Sequence, residues 1–305
     1  MRTVTVGTRG SKLALIQTRE IIEALKRDYP DLDYVVKVIR TRGDKSAAPI
    51  ETLGQGVFVE EIETHLRRKL IDIAVHSLKD LPPLLPSDLQ IGAVPKRLDA
   101  RDVLINKWNC SIYDLPVGAR IGTSSPRRKA QLLTLSPKSK VIPMRGNVET
   151  RINKASSLDY DGAIVAAAGV IRLGLQDLVS QYLPPEEFIP AAGQGALAVE
   201  VRKSDEEMNY ILNRLDHGPT RLAITAERAF LVRLGTGCGE PTGAYARLNK
   251  DTMILSAFMA SPDGEFVYKT KAHGRSGNPH EIAMEAHQRL IEKGAEKLLR
   301  NHDNI

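Results

Sequence analysis

The stretch Ile71-Asp72-Ile73-Ala74-Val75-His76-Ser77-Leu78-Lys79-Asp80-Leu81-Pro82 sets how the rest of the chain reads. The apolar residues of Ile71–Val75 suit a short strand covered on both faces. Lys79, Asp80 and Pro82 then mark its carboxyl end and a turn. Just upstream, Val57–Leu70 has helical spacing, with Phe58, Ile62, Leu66 and Leu70 on one face. Tyr34–Arg40 reads as a strand, as does Thr3–Gly7. Between them Ser11 is placed to cap a helix that turns Leu13, Ile16, Ile21 and Leu25 inward. This βαβαβ rhythm implies a mostly parallel sheet with right-handed crossovers, hence an α/β class.

Beyond the Pro- and Leu-rich loop Leu81–Asp88 the rhythm restarts. Arg120–Thr123 leads into a helix from Ser125, Lys140–Met144 into one from Asn147, and Ala163–Ala167 into one near Gly169. Ala196–Arg202 reads as a strand that returns to the first sheet. From about Thr220 the pattern changes. A helix over Arg221–Leu234 and a Gly-rich turn around Cys238 precede three strand-like runs, Gly243–Leu248, Met253–Ala260 and Glu265–Ala272. Glu281–Asn301 closes the chain as an amphipathic helix. The expected division is a first α/β domain over 1–97 with a return segment 195–216, a second over 98–194, and a small α+β domain with a three-stranded antiparallel sheet over 217–305.

Composition narrows the class. The 305 residues are 42% hydrophobic, 26% charged and 5% aromatic, enough for two or three domains with buried cores. A net charge of +6 is too mild to demand nucleic acid, and Trp 1 with Phe 5 leaves few platforms for stacking bases. Two cysteines, Cys110 and Cys238, make no disulfide framework, so a reducing, cytoplasmic setting is expected. The stretch Ala163–Ile171 is too short to cross a bilayer, and no secretory signal is evident near Arg2, Arg9 and Lys12.

The arginines carry the functional signal. Arg9 follows the first strand and precedes Ser11. Arg127 and Arg128 follow Ser125-Pro126, an N-cap and first-turn pair. Arg145 precedes Gly146-Asn147, Arg151 lies a turn inside the next helix, and Arg172 is placed early in the helix near Gly169. One such Arg is more often a solvated residue. Six at equivalent strand-to-helix junctions, where α/β sheets bind ligands, predict a polyanionic ligand. Lys79 and Asp80 sit at the same kind of strand end. An Asp among cations keeps its charge and can stabilise a cationic intermediate or move protons, although a turn-capping Asp beside Pro82 is the plainer reading. His76 reads as a structural histidine and Cys110 as a packing residue. Cys238, among Gly235, Gly237 and Gly239, sits in a loop open to covalent attachment; no second Cys nearby makes a zinc or redox pair.

These residues fall in an ordered series: Thr8-Arg9-Gly10-Ser11-Lys12-Leu13-Ala14, Thr41-Arg42-Gly43-Asp44, His76-Ser77-Leu78-Lys79-Asp80, Gly122-Thr123-Ser124-Ser125-Pro126-Arg127-Arg128, Arg145-Gly146-Asn147-Val148, Pro190-Ala191-Ala192-Gly193-Gln194-Gly195-Ala196 and Thr225-Ala226-Glu227-Arg228, before Cys238. The series closely resembles the porphobilinogen deaminase (hydroxymethylbilane synthase) family over nearly the whole chain. The resemblance implies two doubly wound, periplasmic-binding-protein-like domains around a cleft and a third domain carrying a cofactor cysteine. It implies a dipyrromethane primer thioether-linked to Cys238, to which four porphobilinogen units are added with loss of ammonia before hydrolysis releases a linear tetrapyrrole.

Carried over residue by residue, the resemblance makes Asp80 catalytic, stabilising the pyrrole N–H groups and the cationic azafulvene. It assigns Lys79, Ser125, Arg127, Arg128, Arg145 and Gly146 to the cofactor. Arg9, Ser11, Arg151 and Arg172 then serve the substrate carboxylates. The Gly-rich segment Leu53–Gly56, between the second strand and the helix with Phe58, reads on its own sequence as a candidate mobile lid, with Phe58 an apolar contact for a substrate pyrrole ring. The resemblance suggests a monomer and no metal. Two departures stand out: Gln55 replaces the common Lys of a Gly-Lys-Gly segment, and Thr236-Gly237-Cys238-Gly239 replaces Gly-Gly-Cys-Gln. A non-catalytic anion receptor and a nucleic-acid-binding protein are the competing readings.

Overall fold

The computed structural model describes residues 2–45, 56, 59–235 and 241–299. The chain folds as two compact units, Met1–Leu98 with Ala196–Arg221, and Asp99–Gly195 with Leu222–Ile305.

The first unit is built on five strands, Thr3–Thr8 (β1), Asp33–Val38 (β2), Ile73–Ser77 (β3), Leu89–Ala93 (β4) and Leu197–Arg202 (β10, numbering along the chain). Their order is β2-β1-β3-β10-β4. β1 pairs in parallel with β2 and β3, whereas β10 runs antiparallel to β3 and β4. The sheet is therefore mixed rather than mostly parallel, because its fourth position is filled by returning chain instead of a helical crossover.

Alternation on the strands splits the core in two. Val4, Val6, Ile73, Val75, Val199 and Val201 pack on Ile21 and Leu25 of Lys12–Asp28 (α1) and on Met208 and Leu212 of Glu206–Leu212 (α7). Ala74, Ile39 and Leu89 meet Ile62 and Leu66 of Glu60–Arg67 (α3) on the other face. A four-residue helical turn, Arg42–Lys45 (α2), lies upstream of α3. The expected buried face of Val57–Leu70 is only half realised. Lys69 takes a left-handed φ of 55° and the Leu70 N–H returns to the His65 carbonyl, so the helix stops and Leu70 is 46% exposed. Phe58 and most of Leu53–Gly56, including Gln55, lie outside the described residues.

The second unit holds Asp102–Asn106 (β5), Arg120–Gly122 (β6), Lys140–Ile142 (β7), Gly162–Ala166 (β8) and Gln181–Leu183 (β9), in the order β7-β6-β8-β5-β9. β6 is parallel to β7 and β8, and β5 is antiparallel to β8 and β9. Pro126–Leu135 (α4), Val148–Lys154 (α5) and Ala167–Arg172 (α6) follow β6, β7 and β8. The same unit carries most of Gly218–Leu234 (α8) and an antiparallel sheet of Thr242–Asn249 (β11), Thr252–Ala260 (β12) and Val267–Arg275 (β13). β12 is central and buried on both faces. Leu255 and Ala257 pack on Phe230 of α8 and on Ala283 and Leu290 of Pro279–Glu292 (α9), while Phe258 and Ala260 pack on Ala130 of α4. The closing helix expected over Glu281–Asn301 breaks at Gly294, whose φ of 96° separates α9 from Glu296–Leu299 (α10). β4, β5, β9 and α7 have no counterpart in the sequence reading.

One glycine of the Pro190–Ala196 segment has a steric reason. Gly195 holds φ at +86°, and a Cβ there would lie 2.4 Å from the Asp99 carbonyl oxygen. Gly195→Ala therefore combines backbone strain with a clash against main chain, and is expected to cost about 2–4 kcal/mol. Thermal unfolding checks this: the midpoint should fall by several degrees, and an unchanged midpoint would contradict it.

Candidate functional site

In the first unit the parallel pairing Val6↔Ile73 and Gly7↔Ala74 puts the carboxyl ends of β1 and β3 at one edge of the sheet. The loop with Arg9 and Ser11 and the turn with Lys79 and Asp80 therefore share that edge. Ser11 Oγ accepts the Ala14 N–H at 3.2 Å, so it caps α1 as its sequence position predicts. β3 runs into a single 3-10 turn, Leu78–Asp80.

Three contacts hold that turn. Leu78 is enclosed and its N–H donates to the Ala196 carbonyl at 3.0 Å. The buried Gln17 of α1 donates through Nε2 to Ser77 Oγ at 3.0 Å. Ala198 of β10 registers against His76, and His76 Nε2 lies 3.1 Å from Glu200 Oε2, both side chains enclosed. His76 is thus the paired structural residue expected. On this fixed base Lys79 and Asp80 are half-buried, neither sealed in the core nor fully solvated.

On the inner face of α3, Glu63 is buried close to Glu200. Burial first, and the Glu200 charge second, raise the Glu63 pKa above the ordinary carboxylate value.

In the second unit the carboxyl ends of β6, β7 and β8 fall at one edge, and two helix starts there match the sequence reading. Ser125 Oγ accepts the Arg128 N–H at 3.4 Å with Pro126 in the first turn, and Asn147 Oδ1 accepts the Thr150 N–H at 2.8 Å. Ser124 Oγ ties the two loops by donating to the Met144 carbonyl at 3.0 Å. Gly146 has φ +119°, and a Cβ there would sit 2.6 Å from Thr150 Cγ2, which accounts for the glycine. Arg151 Nε donates to the Gly146 carbonyl at 2.8 Å, and Arg145 is half-buried.

Arg172 departs from expectation. It is the last residue of α6, not an early one, and so lies roughly 8 Å along the axis from Ala167. The strand β8 runs directly into its helix, which therefore starts at Ala167, two residues before Gly169. Arg172 is a helix C-terminal cation, a position favoured by the helix dipole for other reasons.

Arg127 and Arg128 are only 3% and 5% exposed, and they converge on a carboxylate the sequence reading missed. Asp102, at the start of β5, is wholly enclosed. Arg127 Nη1 lies 2.8 Å from its Oδ2; Arg128 Nη2 lies 2.8 Å and Nε 2.9 Å from its Oδ1. Gln194 Nε2 donates to the same Oδ1 at 3.0 Å and to the Ala100 carbonyl at 2.8 Å. Arg127 Nη1 also donates to the Ile189 carbonyl at 2.7 Å, and Arg128 Nη1 to the Ile164 carbonyl at 3.1 Å. Two guanidiniums against one carboxylate leave an excess positive charge. Burial lowers the Arg127 pKa, Asp102 draws it back up, and Arg128 lowers it. Among the described residues, the Nε and Nη2 groups of Arg127 make no hydrogen bond. That edge is the one a carboxylate grips with two oxygens.

Glu227 of α8, also enclosed, accepts the Gly193 N–H at 2.7 Å and the Ala246 N–H at 2.9 Å, joining the Pro190–Ala196 segment to β11. Asp102 could have been found from sequence: a lone Asp opening the apolar run Val103-Leu104-Ile105 must be paired if that run is a buried strand. Cys238 and Phe58 lie outside the described residues. No cluster of His, Cys, Asp and Glu suited to a metal occurs among the described residues.

A family model described as porphobilinogen deaminase, dipyromethane cofactor binding domain, matches residues 4–210, and one described as porphobilinogen deaminase, C-terminal domain, matches 221–292. A porphobilinogen deaminase of Thermus thermophilus is 44% identical over 300 residues, covering 98% of this chain and 99% of that protein. One from Geobacillus kaustophilus is 45% identical over 302 residues, covering 98% and 97%. Among solved structures, an ancestral cationic amino acid solute binding protein aligns with a TM-score of 0.46 at 16% identity over 70% of this chain and 88% of its own.

Proposed function

Since the chain belongs to the porphobilinogen deaminase family, we propose that Asp80 is its catalytic residue and that Cys238 carries its dipyrromethane cofactor. The activity itself follows from membership. The chain is a transferase of tetrapyrrole biosynthesis that condenses four porphobilinogen units head to tail, with loss of ammonia, and releases hydroxymethylbilane by hydrolysis.

The observation that carries the assignment of Asp80 is its place. It ends a turn fixed by Leu78, Ser77 and Gln17, at the carboxyl end of a central strand, and is half-exposed. A carboxylate so placed can accept a pyrrole N–H and stabilise positive charge on the ring as the aminomethyl group loses ammonia. Starting protonated, the same carboxyl can give its proton to the departing amine, become the carboxylate that stabilises the ring cation, and regain a proton from the pyrrole carbon after the new bond forms. Lys79, beside it, supplies a point charge for a substituent carboxylate.

The cofactor, with an acetate and a propionate on each ring, is a polyanion, and the second unit fits one. Arg127 presents a nearly enclosed guanidinium edge without a hydrogen-bond partner, within a cluster that carries excess positive charge. When bound, the dipyrromethane supplies the nucleophilic pyrrole carbon on which chain growth starts. Lys79, Ser125, Arg127, Arg145 and Gly146 are assigned to hold it, and Arg128 is assigned to the same site as the cation that fixes Asp102. Arg9, Ser11, Arg151, Arg172 and Phe58 are assigned to the substrate carboxylates and rings. Arg172 is the weakest member, since its end of α6 lacks the helix N-terminus that supports the others.

The domain arrangement proposed is 1–97 with 195–216, 98–194, and 217–305. β10, which pairs with β3 and β4, supports the return segment. We also take the enzyme to be a cytoplasmic monomer without a nucleic-acid partner. Its Arg127 and Arg128 are spent inside a unit rather than spread over an outer face. No described helix is long and apolar enough to cross a membrane.

Intact mass of the purified protein, followed by peptide mapping of the Cys238 segment, tests the cofactor assignment. The expected result is an adduct of two pyrrole units on Cys238. An unmodified Cys238 after incubation with porphobilinogen, in a preparation that makes product, would overturn it.

A further inference from the structure

We propose that Asp102 is a positioning residue for cofactor capture. Through Arg127 Nη1 it turns the Nε–Nη2 edge of that side chain to one carboxylate of the dipyrromethane, while Arg128 is the counter-cation of Asp102 and not a second receptor. The inference rests on the reading of Arg127 as a cofactor ligand and divides the labour within the arginine pair.

The geometry separates the two arginines. Arg128 lays its own Nε and Nη2 on Asp102 Oδ1, so its two-pronged edge is occupied from within, and Nη1 is taken by the Ile164 carbonyl. Arg127 meets Asp102 and the Ile189 carbonyl through Nη1 alone, which leaves its two-pronged edge for an acceptor from outside. Asp102 Oδ2 accepts no hydrogen bond among the described residues, so its hold on Arg127 is the 2.8 Å ion pair, and the side chain that carries the unpartnered edge is only 3% exposed.

The anchor for this is rigid. Asp102 registers against Ala166 of β8 and Leu183 of β9, so its backbone is fixed on both sides. Gln194 adds a third donor to Oδ1. The stem of Arg127 is confined as well: a Cβ at Gly243 of β11 would lie 3.2 Å from Arg127 Cδ, and the Phe188 ring centroid is 5.9 Å from Cζ. One carboxylate held against two guanidiniums thus sets orientation and leaves a net positive charge for the incoming anion.

The test follows the rate at which apoprotein gains the mass of two pyrrole units on exposure to porphobilinogen. Arg127→Gln and Asp102→Asn should each slow that gain about tenfold or more. The double variant should be no slower than Arg127→Gln alone, because Asp102 acts through Arg127. Arg128→Gln should likewise add no loss on the Arg127→Gln background. Losses that multiply in either double variant, or an Asp102→Asn protein that gains mass at the parental rate, would overturn the proposal.

Should Asp102→Asn fail to fold, Gln194→Met removes one donor to Oδ1, together with its bonds to the Ala100 and Arg101 carbonyls, for which thermal unfolding is the control. It should slow the gain only in proteins that retain Arg127, and a parental rate there would count against the proposal. A parental rate for Arg127→Gln itself would instead refute the reading of Arg127 as a cofactor ligand.

Discussion

Asp80→Asn is expected to lower hydroxymethylbilane formation by about 10²–10⁴-fold while leaving the fold intact. The amide is isosteric, so the turn Leu78–Asp80 keeps the bonds that define it, Leu78 N–H to Ala196 and Gln17 to Ser77, none of which uses the Asp80 side chain. What is removed is the negative charge and the proton-accepting oxygen. Both are needed when positive charge appears on a pyrrole and when its carbon loses a proton, so every elongation step should suffer. Single-turnover assays on holoenzyme, followed by the mass of each elongation state, check this, with thermal unfolding as the fold control. Near-normal product formation would remove Asp80 from the catalytic role. A collapse of the unfolding midpoint would make it a structural residue.

Cys238→Ala is expected to abolish product to the limit of detection, for a different reason. Without the thiol, chain growth has no fixed start, and the protein mass should match the bare polypeptide even after prolonged exposure to porphobilinogen. Cys110 is the internal comparison. It is half-buried against Asn106, and burial, with the Asp114 charge second, raises its thiol pKa, so it offers little thiolate. Cys110→Ala should keep both the adduct and the activity. An adduct retained in Cys238→Ala would show that another side chain carries the primer.

What the sequence made legible was mainly local chemistry. Ser11, Ser125 with Pro126, and Asn147 announce helix starts because a side-chain oxygen or a fixed φ is needed there, and all three helices begin as read. The three-stranded sheet was legible from its turn residues and alternating runs. Termination was less so. Lys69 ends its helix through left-handed backbone that its residue type does not announce, which exposes Leu70; Gly294 splits the closing helix, and a glycine after a lysine is a stop signal the reading of Glu281–Asn301 passed over. Arg172 was misplaced because β8 passes into α6 with no cap residue to mark the boundary; Ala166 makes no side-chain cap.

Pairing direction was not legible at all. β10 and β5 run antiparallel to neighbours in otherwise parallel surroundings, and a strand's own residues do not record which way its partner runs. Arg127 and Arg128 do lie in the first turn after Ser125, as read, but their burial was not legible. It depends on Asp102 and Gln194, which are remote in sequence and meet only once β5 is in place.

The order β3-β10-β4 also has a meaning in time. As the chain leaves the ribosome, β3 and its turn with Asp80 emerge early, but the strand that closes their flank is Leu197–Arg202. Until that segment is made, β3 keeps an open edge, and the Ala196 carbonyl that pins Leu78 does not yet exist. At about 5–20 residues per second, the delay from Ser77 to Arg202 is of the order of ten seconds. An amino-terminal fragment ending before Ala196 holds every atom of the turn Leu78–Asp80 without the neighbour that shapes it. Completion of the sheet around β3 therefore awaits synthesis of the whole Asp99–Gly195 segment, so a chain cut short there lacks the strand that flanks the Asp80 turn.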